Sequence, residues 1–202
     1  VTTTTFLPEH GAAPDVPDGV RYVVTLDADT RLPIGAVKRL VGTMAHSLNR
    51  PRLDSATRRV VEGYAVLQPR VTAPLPGRAG SVFQRLSSGA SGIDPYAAAV
   101  SDVYQDLFGE GSYTGKGIYD IDAFEAALAG RVPENSLLSH DLFEGVFARA
   151  GLVTDVELFE GAPANYLTAA SRQHRWARGD WQLLPGILRE RLSLVERWKM
   201  LD

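Results

Sequence analysis

The sequence predicts an α/β fold, in which helices cover a layered sheet. Apolar runs of strand length alternate along the chain with segments whose apolar residues recur at helical spacing, and this alternation is typical of such a fold. Tyr22–Leu26 is a continuous β-branched and apolar run, which predicts a strand buried on both faces. Pro33 then suits a first helical turn. The helical stripe after it consists of Ile34, Val37, Leu40, Val41, Met44 and Leu48.

The same alternation continues towards the C-terminus. Further strands are predicted at residues 64–68, 116–119 and 152–159, and further helices at residues 96–108, 121–129, 139–151 and 165–184. Asp120 and Ser139 are expected to cap the helices that follow them, because their side chains accept hydrogen bonds from free backbone N–H groups. Gly109 and Gly151 are expected to end the helices before them.

Composition narrows the class of protein. With 202 residues and 45% hydrophobic content, the chain can bury one sizeable core and is expected to form one domain or most of one. A net charge of −3 argues against a nucleic-acid binder, which needs a broad basic surface. The chain has no cysteine, which excludes disulfides and thiolate metal sites and fits a reducing compartment. Residues 171–202 contain seven Lys or Arg against four Asp or Glu, so an anionic ligand would prefer this part.

Three segments differ in pattern. Residues 1–19 are rich in Thr, Pro, Gly and Ala without an amphipathic period, as in a linker or loop, whereas residues 20–190 hold the alternating strands and helices. The pattern of residues 191–202 predicts an amphipathic helix. This helix could lie at a membrane interface or pack on the protein's own core. Its apolar stripe is Leu194, Val195, Trp198 and Leu201, opposite Glu196, Arg197 and Lys199. No apolar run reaches the roughly 18 residues of a membrane span, so a soluble chain is expected.

Two aspartates separated by one alanine follow the first predicted strand. Asp27 and Asp29 stand where α/β sheets bind ligands, beyond the carboxyl end of a strand. Their carboxylates repel each other unless a cation lies between them, and such oxygen donors suit Mg²⁺ or Mn²⁺. The alternative is that one aspartate caps the next helix while the other is solvated in the turn.

The same D-x-D motif permits a second chemistry. Haloacid-dehalogenase-type phosphatases also carry D-x-D after an apolar strand, and their first Asp, here Asp27, is the nucleophile. Their pattern has Thr or Val two residues after the second Asp, where this chain has Arg31. This departure weakens the interpretation of the chain as a metal-dependent phosphohydrolase.

Four further motifs follow the acid pair in a fixed order: LQPR (67–70), GSYTGKGIYDIDAF (111–124), VPENSLLSHDLFEGVFARAG (132–151) and SRQHRWARGDWQLLPG (171–186). This order resembles the processive family-2-type glycosyltransferases of the cellulose-synthase kind. Those enzymes carry D-x-D, a Gln-x-Pro strand end, a glycine-bearing acceptor loop, T-E-D and Q-x-x-R-W. The S-H-D and R-Q-H-R-W variants are most similar to the glycosyltransferase domain of cyclic β-1,2-glucan synthases.

This resemblance implies a GT-A-like, Rossmann-like mixed sheet flanked by helices, without the N-terminal nucleoside-binding unit. It implies an inverting hexosyltransferase that moves glucose from UDP-glucose to a growing β-1,2-glucan chain. Asp27 and Asp29 would hold the metal, which neutralises the leaving diphosphate. Asp141 would be the catalytic base, the alternative being a first-turn carboxylate that the helix dipole favours.

The resemblance also assigns binding residues. Arg175 and Arg172 would contact the donor diphosphate, and Trp176 would stack on an acceptor sugar. Further acceptor-side residues would be Tyr113, Thr114, Gly115 and His140. Gln68 and Arg70 would line the sugar pocket or merely end a strand. Trp181, which follows the R-Q-H-R-W motif, is expected in the core.

The resemblance further implies partners and a location. The chain would work with the remaining domains of a larger membrane-anchored synthase, at the cytoplasmic face of the inner membrane, and with little activity alone. A third interpretation, from another class, is a carbohydrate-binding or scaffold module without catalysis.

Overall fold

The structure is a computed structural model that describes residues 18–74, 80–87, 102–131, 141–190 and 192–201. The strands are β1 Tyr22–Thr25, β2 Thr30–Arg31, β3 Arg52–Asp54, β4 Arg59–Glu62, β5 Val66–Thr72, β6 Gly117–Asp120 and β7 Ala150–Glu160. The helices are α1 Ala36–Ala45, α2 Val82–Ser87, α3 Val103–Phe108, α4 Ile121–Leu128, α5 Asp141–Ala148, α6 Tyr166–Arg189 and α7 Leu194–Leu201, with a 3₁₀ turn at Ser47–Asn49.

The main sheet has five strands in the order β1-β6-β5-β7-β2. β6 is antiparallel to both β1 and β5, β7 is parallel to β5, and β2 is antiparallel to β7. The predicted α/β class is therefore confirmed, as a mixed sheet flanked by helices that is consistent with a Rossmann-like fold. β3 and β4, which the sequence did not predict, form a separate antiparallel pair.

The strand predicted at residues 64–68 continues to Thr72. Its extension passes through Pro69, although proline has no N–H group to donate to a neighbouring strand. The register between β5 and β7 shifts between Pro69 and Arg70, which is where a central strand tolerates proline. Gln68 and Arg70 are therefore inside the strand and do not end it.

One core lies between α1 and the sheet. Leu40 and Met44 of α1 are buried against sheet residues such as Ile118 and Leu158. The predicted stripe of α1 was too long, because Ile34 and Leu48 lie outside the helix and are exposed. The helix begins after Gly35, whose φ of 83° is a left-handed conformation that breaks the helical path.

A second core joins α4, α5, α6 and α7. Its buried residues include Ala127, Phe143, Phe147, Leu183, Ile187 and Met200. Asp120 caps α4 as predicted, since its carboxylate accepts the Ala123 N–H. The predicted end of the next helix was wrong: α5 stops at Ala148, Arg149 takes a positive φ of 52°, and Gly151 lies within β7. The Arg149 guanidinium donates to the carbonyls of Val61 and Gly109, and these bonds stabilise the turn between α5 and β7.

Two tryptophan-bearing helices differ from expectation. Trp181 is 73% exposed rather than in the core, because α6 buries Leu183 and Ile187 and Trp181 lies on the other side of the helix. The helix predicted for residues 191–202 is α7, but it turns its charged side inward. Glu196 and Lys199 are buried, whereas Leu194, Trp198 and Leu201 are exposed.

Polar contacts explain this inverted orientation of α7. The buried Glu196 forms an ion pair with Arg59, and the ammonium of Lys199 donates to the carbonyl of Gly111. These partners replace the water that each charge loses on burial. The helix does pack on the core through Met200, but its apolar stripe faces outward. The membrane-interface alternative stays a prediction. Of the helices that the structure describes, none has the length and apolar character of a membrane span.

Several predictions lie outside the described residues. The predicted linker at residues 1–19 falls there almost entirely, as do the cap at Ser139 and the acceptor-side residue His140. Of the helix predicted at residues 96–108, the described part is α3, which Gly109 ends with a φ of 72° as expected.

Candidate functional site

The acid pair follows β1 in an exposed turn. The turn is closed by a 3.0 Å hydrogen bond from the Thr30 N–H to the Asp27 carbonyl. β2 then begins at Thr30, which pairs with Glu160 at the end of β7. Directly paired residues of antiparallel strands share a face. This register therefore brings the carboxylate of Glu160 close to those of Asp27 and Asp29. Asp27, Asp29 and Glu160 each offer an oxygen, and these three oxygens lie within 4.8 Å of one another.

A lysine provides a cation between two of these three carboxylates, those of Asp27 and Glu160. The Nζ atom of Lys116 lies 3.0 Å from Asp27 Oδ2 and 3.1 Å from Glu160 Oε2, and the lysine side chain is only 6% exposed. Burial acts to lower the pKa of Lys116, but the carboxylates of Glu160 and Asp27 outweigh burial and raise it. The ammonium therefore stays charged between the two acids.

Two glycines fix the backbone on either side of Lys116. Gly115 has a φ of 82°, and a Cβ atom at this position would lie 2.8 Å from Asp141 Oδ2. Gly117 has a φ of 154°, and a Cβ atom there would overlap the carbonyl oxygen of Leu67. Neither position accepts a side chain without displacement. Asp141 thus lies against the residue that precedes Lys116 in the chain.

The other oxygen of Glu160 pairs with α6. Arg172 donates to Glu160 Oε1, and the Arg172 guanidinium carbon lies 4.7 Å from the centre of the Trp176 ring. Arg175, on the same helix, is exposed. We call Asp27, Asp29, Lys116, Glu160 and Arg172 the charged cluster. It connects the turn after β1, the end of β7 and the Arg-Trp motif of α6.

Buried polar contacts attach the predicted acceptor loop, GSYTGKGIYD (111–120), to the sheet. The Tyr113 side chain is 4% exposed, and its hydroxyl lies 3.2 Å from Thr25 Oγ1. Gln68 Oε1 accepts from the N–H and the hydroxyl of Thr114 at 3.0 and 3.1 Å, while Gln68 Nε2 donates to Pro69. Burial raises the pKa of the Tyr113 hydroxyl. These residues hold the loop that carries Lys116.

The remaining predicted site residues are placed differently. Arg70 Nη2 lies 3.1 Å from Glu157 Oε1, within β7 and outside the charged cluster. Asp141 is the first residue of α5 and is half-buried.

Two members of the charged cluster, Lys116 and Glu160, were not predicted from the sequence. Lys116 stands between two glycines of a motif already singled out, and this G-K-G pattern was the available signal. Glu160 had no comparable signal, because its position depends on the pairing of β7 with the two-residue strand β2.

The fold and the cluster define a mixed α/β domain with acidic and basic groups gathered at the carboxyl end of a strand, as in enzymes that bind ligands at that edge. No family model matches the chain. It is 58% identical over 190 residues to the cyclic beta-(1,2)-glucan synthase NdvB of Rhizobium meliloti (strain 1021). The matched region takes in 93% of this chain and 7% of that protein. The resemblance to cyclic β-1,2-glucan synthases is therefore confirmed, and the chain corresponds to a short segment of such a protein.

Proposed function

We propose that the chain is the catalytic portion of an inverting glycosyltransferase that moves glucose from UDP-glucose to a growing β-1,2-glucan. The observation that supports this most strongly is the arrangement around residues 115–117. Asp27 and Glu160 contact Lys116 on one side, and Asp141 lies against Gly115 on the other. A metal-binding acid pair and a separate base are the groups that this reaction requires.

The donor set fits a divalent ion. Three carboxylate oxygens within 4.8 Å of one another are hard ligands of the kind that Mg²⁺ and Mn²⁺ prefer. Thr30 Oγ1, opposite Glu160 in the strand register, is buried and has no hydrogen-bond partner among the described residues. We propose that Asp27 and Asp29 hold Mg²⁺ or Mn²⁺. When bound, the ion would neutralise the negative charge of the leaving diphosphate.

The basic residues of α6 have different tasks in this proposal. Arg175 is exposed, and its planar set of donors suits the diphosphate oxygens. Arg172 is already paired with Glu160 and covers one part of Trp176. In place of the diphosphate contact expected from the sequence, we therefore assign Arg172 to orient Trp176, whose ring offers the acceptor sugar a flat surface.

Asp141 is the base in this proposal. Its carboxylate accepts the proton of the acceptor hydroxyl as that oxygen attacks the anomeric carbon of glucose. Tyr113, Thr114 and Gly115 support the loop beside this carboxylate, and Tyr113 and Gln68 do so from buried positions. The acceptor-side role of His140 stays a prediction.

The chain spans 7% of the length of the curated relative that it matches. We propose that it works with the remaining domains of a larger membrane-anchored synthase at the cytoplasmic face of the inner membrane. Activity is therefore best measured on a full-length synthase that contains this segment.

The decisive experiment replaces the proposed base. Asp141→Asn in the full-length synthase should lower incorporation of radioactive glucose from UDP-glucose into glucan by about 100-fold or more, the usual contribution of a general base. Asp122→Asn is the matched control, since Asp122 is an exposed first-turn aspartate of another eight-residue helix. It removes a similar interaction with the helix dipole and should leave glucan synthesis unchanged.

The outcomes separate the alternatives. Unchanged synthesis by Asp141→Asn would overturn the proposed base. Release of phosphate from an aryl phosphate, abolished by Asp27→Asn, would favour the phosphohydrolase. Sugar binding without turnover, unaffected by Asp141→Asn, would favour a carbohydrate-binding module.

A further inference from the structure

Lys116 occupies the same carboxylates that a divalent ion would use. Its ammonium lies within 3.1 Å of one oxygen of Asp27 and one of Glu160, and both acids belong to the group of three that could hold a metal. Three carboxylates face two basic groups in the charged cluster, Lys116 and Arg172. The cluster is therefore close to neutral before any metal binds.

We propose that Lys116 is an internal counter-ion that competes with the divalent ion, so that the metal and a nucleoside diphosphate bind cooperatively. This inference rests on the metal site of the proposed function. A divalent ion added alone would make the cluster net positive and would take the anionic partners of Lys116. A buried ammonium without an anion is strongly unfavourable.

A diphosphate removes this penalty. Its negative charge balances the ion, and its oxygens offer the Lys116 ammonium a new acceptor. Metal and diphosphate then each strengthen the binding of the other, and by thermodynamic linkage the factor is the same in both directions. Glu160 keeps a cationic partner throughout, because Arg172 holds its second oxygen.

The lysine cannot avoid the competition by moving away. Its side chain is 6% exposed. Its backbone is confined by Gly115 against Asp141 and by Gly117 against Leu67. The ammonium must therefore remain within reach of the cluster whether or not a metal is present.

The test measures Mn²⁺ binding, from the electron paramagnetic resonance signal of free Mn²⁺, to the 202-residue chain with and without UDP. Lys116→Met should bind Mn²⁺ alone at least about fivefold more tightly than the wild type, the lower end of typical coupling between two sites. UDP should tighten Mn²⁺ binding to the wild type at least about fivefold, after correction for the Mn²⁺–UDP complex in solution, and should do so less for Lys116→Met. Lys116→Arg, which keeps the charge, should bind Mn²⁺ as weakly as the wild type.

Lys199→Met is the matched control. Lys199 is also a buried lysine, but it contacts Gly111 and the Tyr104 ring rather than the charged cluster. The loss of the same charge there should leave Mn²⁺ affinity unchanged. Circular dichroism of each variant verifies its fold, and Lys116→Gln replaces Lys116→Met if the latter unfolds.

Two results would overturn the inference: Mn²⁺ affinity that does not rise in the uncharged Lys116 variants, or wild-type Mn²⁺ binding that is independent of UDP. If glucan synthesis by the full-length protein still requires a divalent ion in that case, the proposed function stands and only the role of Lys116 fails. If synthesis proceeds without a divalent ion, the proposed metal site itself fails.

Discussion

Gly115 lies so close to Asp141 that a Cβ atom on the glycine would come within 2.8 Å of the carboxylate oxygen Oδ2. The glycine also has a φ of 82°, which other residues adopt at a cost of about 1–2 kcal/mol. Gly115→Ala therefore combines backbone strain with a displaced carboxylate. We expect it to lower glucan synthesis by the full-length protein about 100-fold, the effect of misplacing a catalytic group by about 1 Å.

Gly130→Ala is the control for Gly115→Ala. Gly130 has a similar φ of 74°, but a Cβ atom there would meet nothing within 4 Å. Urea unfolding should show destabilisation of about 1–2 kcal/mol, and glucan synthesis should persist. Equal loss of synthesis in both variants would mean that strain alone, and not contact with Asp141, explains the effect.

The Trp176 ring should matter for the acceptor and not for the donor. Arg172 stacks over Trp176 at 4.7 Å, which leaves the ring fixed beside the charged cluster. Trp176→Ala should raise the KM for a glucan acceptor between about 3-fold and 30-fold, the range of stacking energies, with little change in the KM for UDP-glucose.

Trp181→Ala is the matched control for this prediction, because Trp181 is exposed on the opposite side of α6 from the residues that the helix buries. It should leave both KM values unchanged. A rise in the KM for UDP-glucose alone in Trp176→Ala would contradict the assignment of Trp176 to the acceptor.

The Arg59–Glu196 pair is buried, with side-chain exposures of 15% and 7%. Removal of one partner leaves the other charge buried without its counter-ion, which typically costs about 3–5 kcal/mol. Glu196→Gln should therefore strongly lower the free energy of unfolding, measured with urea. Arg59→Met in the same chain should restore part of the loss.

Glu62→Gln tests the same chemistry at the surface. Glu62 lies 2.6 Å from Arg52, and both side chains are more than half exposed. Such exposed pairs contribute little to stability, because water screens both charges, so this variant should be nearly as stable as the wild type. Similar losses for Glu62→Gln and Glu196→Gln would contradict the contribution of the buried Arg59–Glu196 pair to stability.

Stability should fall at alkaline pH in a way that depends on Tyr113. Burial raises the pKa of its hydroxyl above the ordinary value of about 10. Above that pH the unfolded chain loses the proton while the folded chain keeps it, so the free energy of unfolding decreases as pH rises. The contribution of one such group approaches about 1.4 kcal/mol per pH unit.

Urea unfolding of the wild type and of Tyr113→Phe between pH 8 and 11 isolates this contribution, because all other groups titrate in both proteins. The difference in stability should change with pH only above about 10. Tyr166→Phe, at an exposed tyrosine, is the control. A constant difference between wild type and Tyr113→Phe would contradict the prediction.

Local patterns in the sequence predicted most strands and helices, because the spacing of apolar residues that identifies a strand or helix lies within that element. The acid pair was also predicted, since Asp27 and Asp29 directly follow a strand. Glu160 was not, because its position depends on a two-residue strand that pairs with the far end of β7. The pairing register of two segments 130 residues apart cannot be predicted from the local pattern of either segment.

The burial of Glu196 and Lys199 in α7 was not predicted, for a related reason. A helical wheel weighs apolar against charged residues and so places Leu194 and Trp198 inside. The structure instead buries Glu196 and Lys199, because Arg59 and the Gly111 carbonyl are positioned to pair with them. Those partners come from other elements, and the helix sequence alone does not reveal them.

The confinement of Lys116 between two glycines sets a limit on how this segment can change in length. Tyr113 and Thr114 are attached to β1 and β5 on one side, and Gly117 is paired with Thr25 on the other. A single inserted or deleted residue between these anchors would turn the lysine away from the carboxylates. Divergence of this loop should therefore proceed by replacement of side chains at constant spacing.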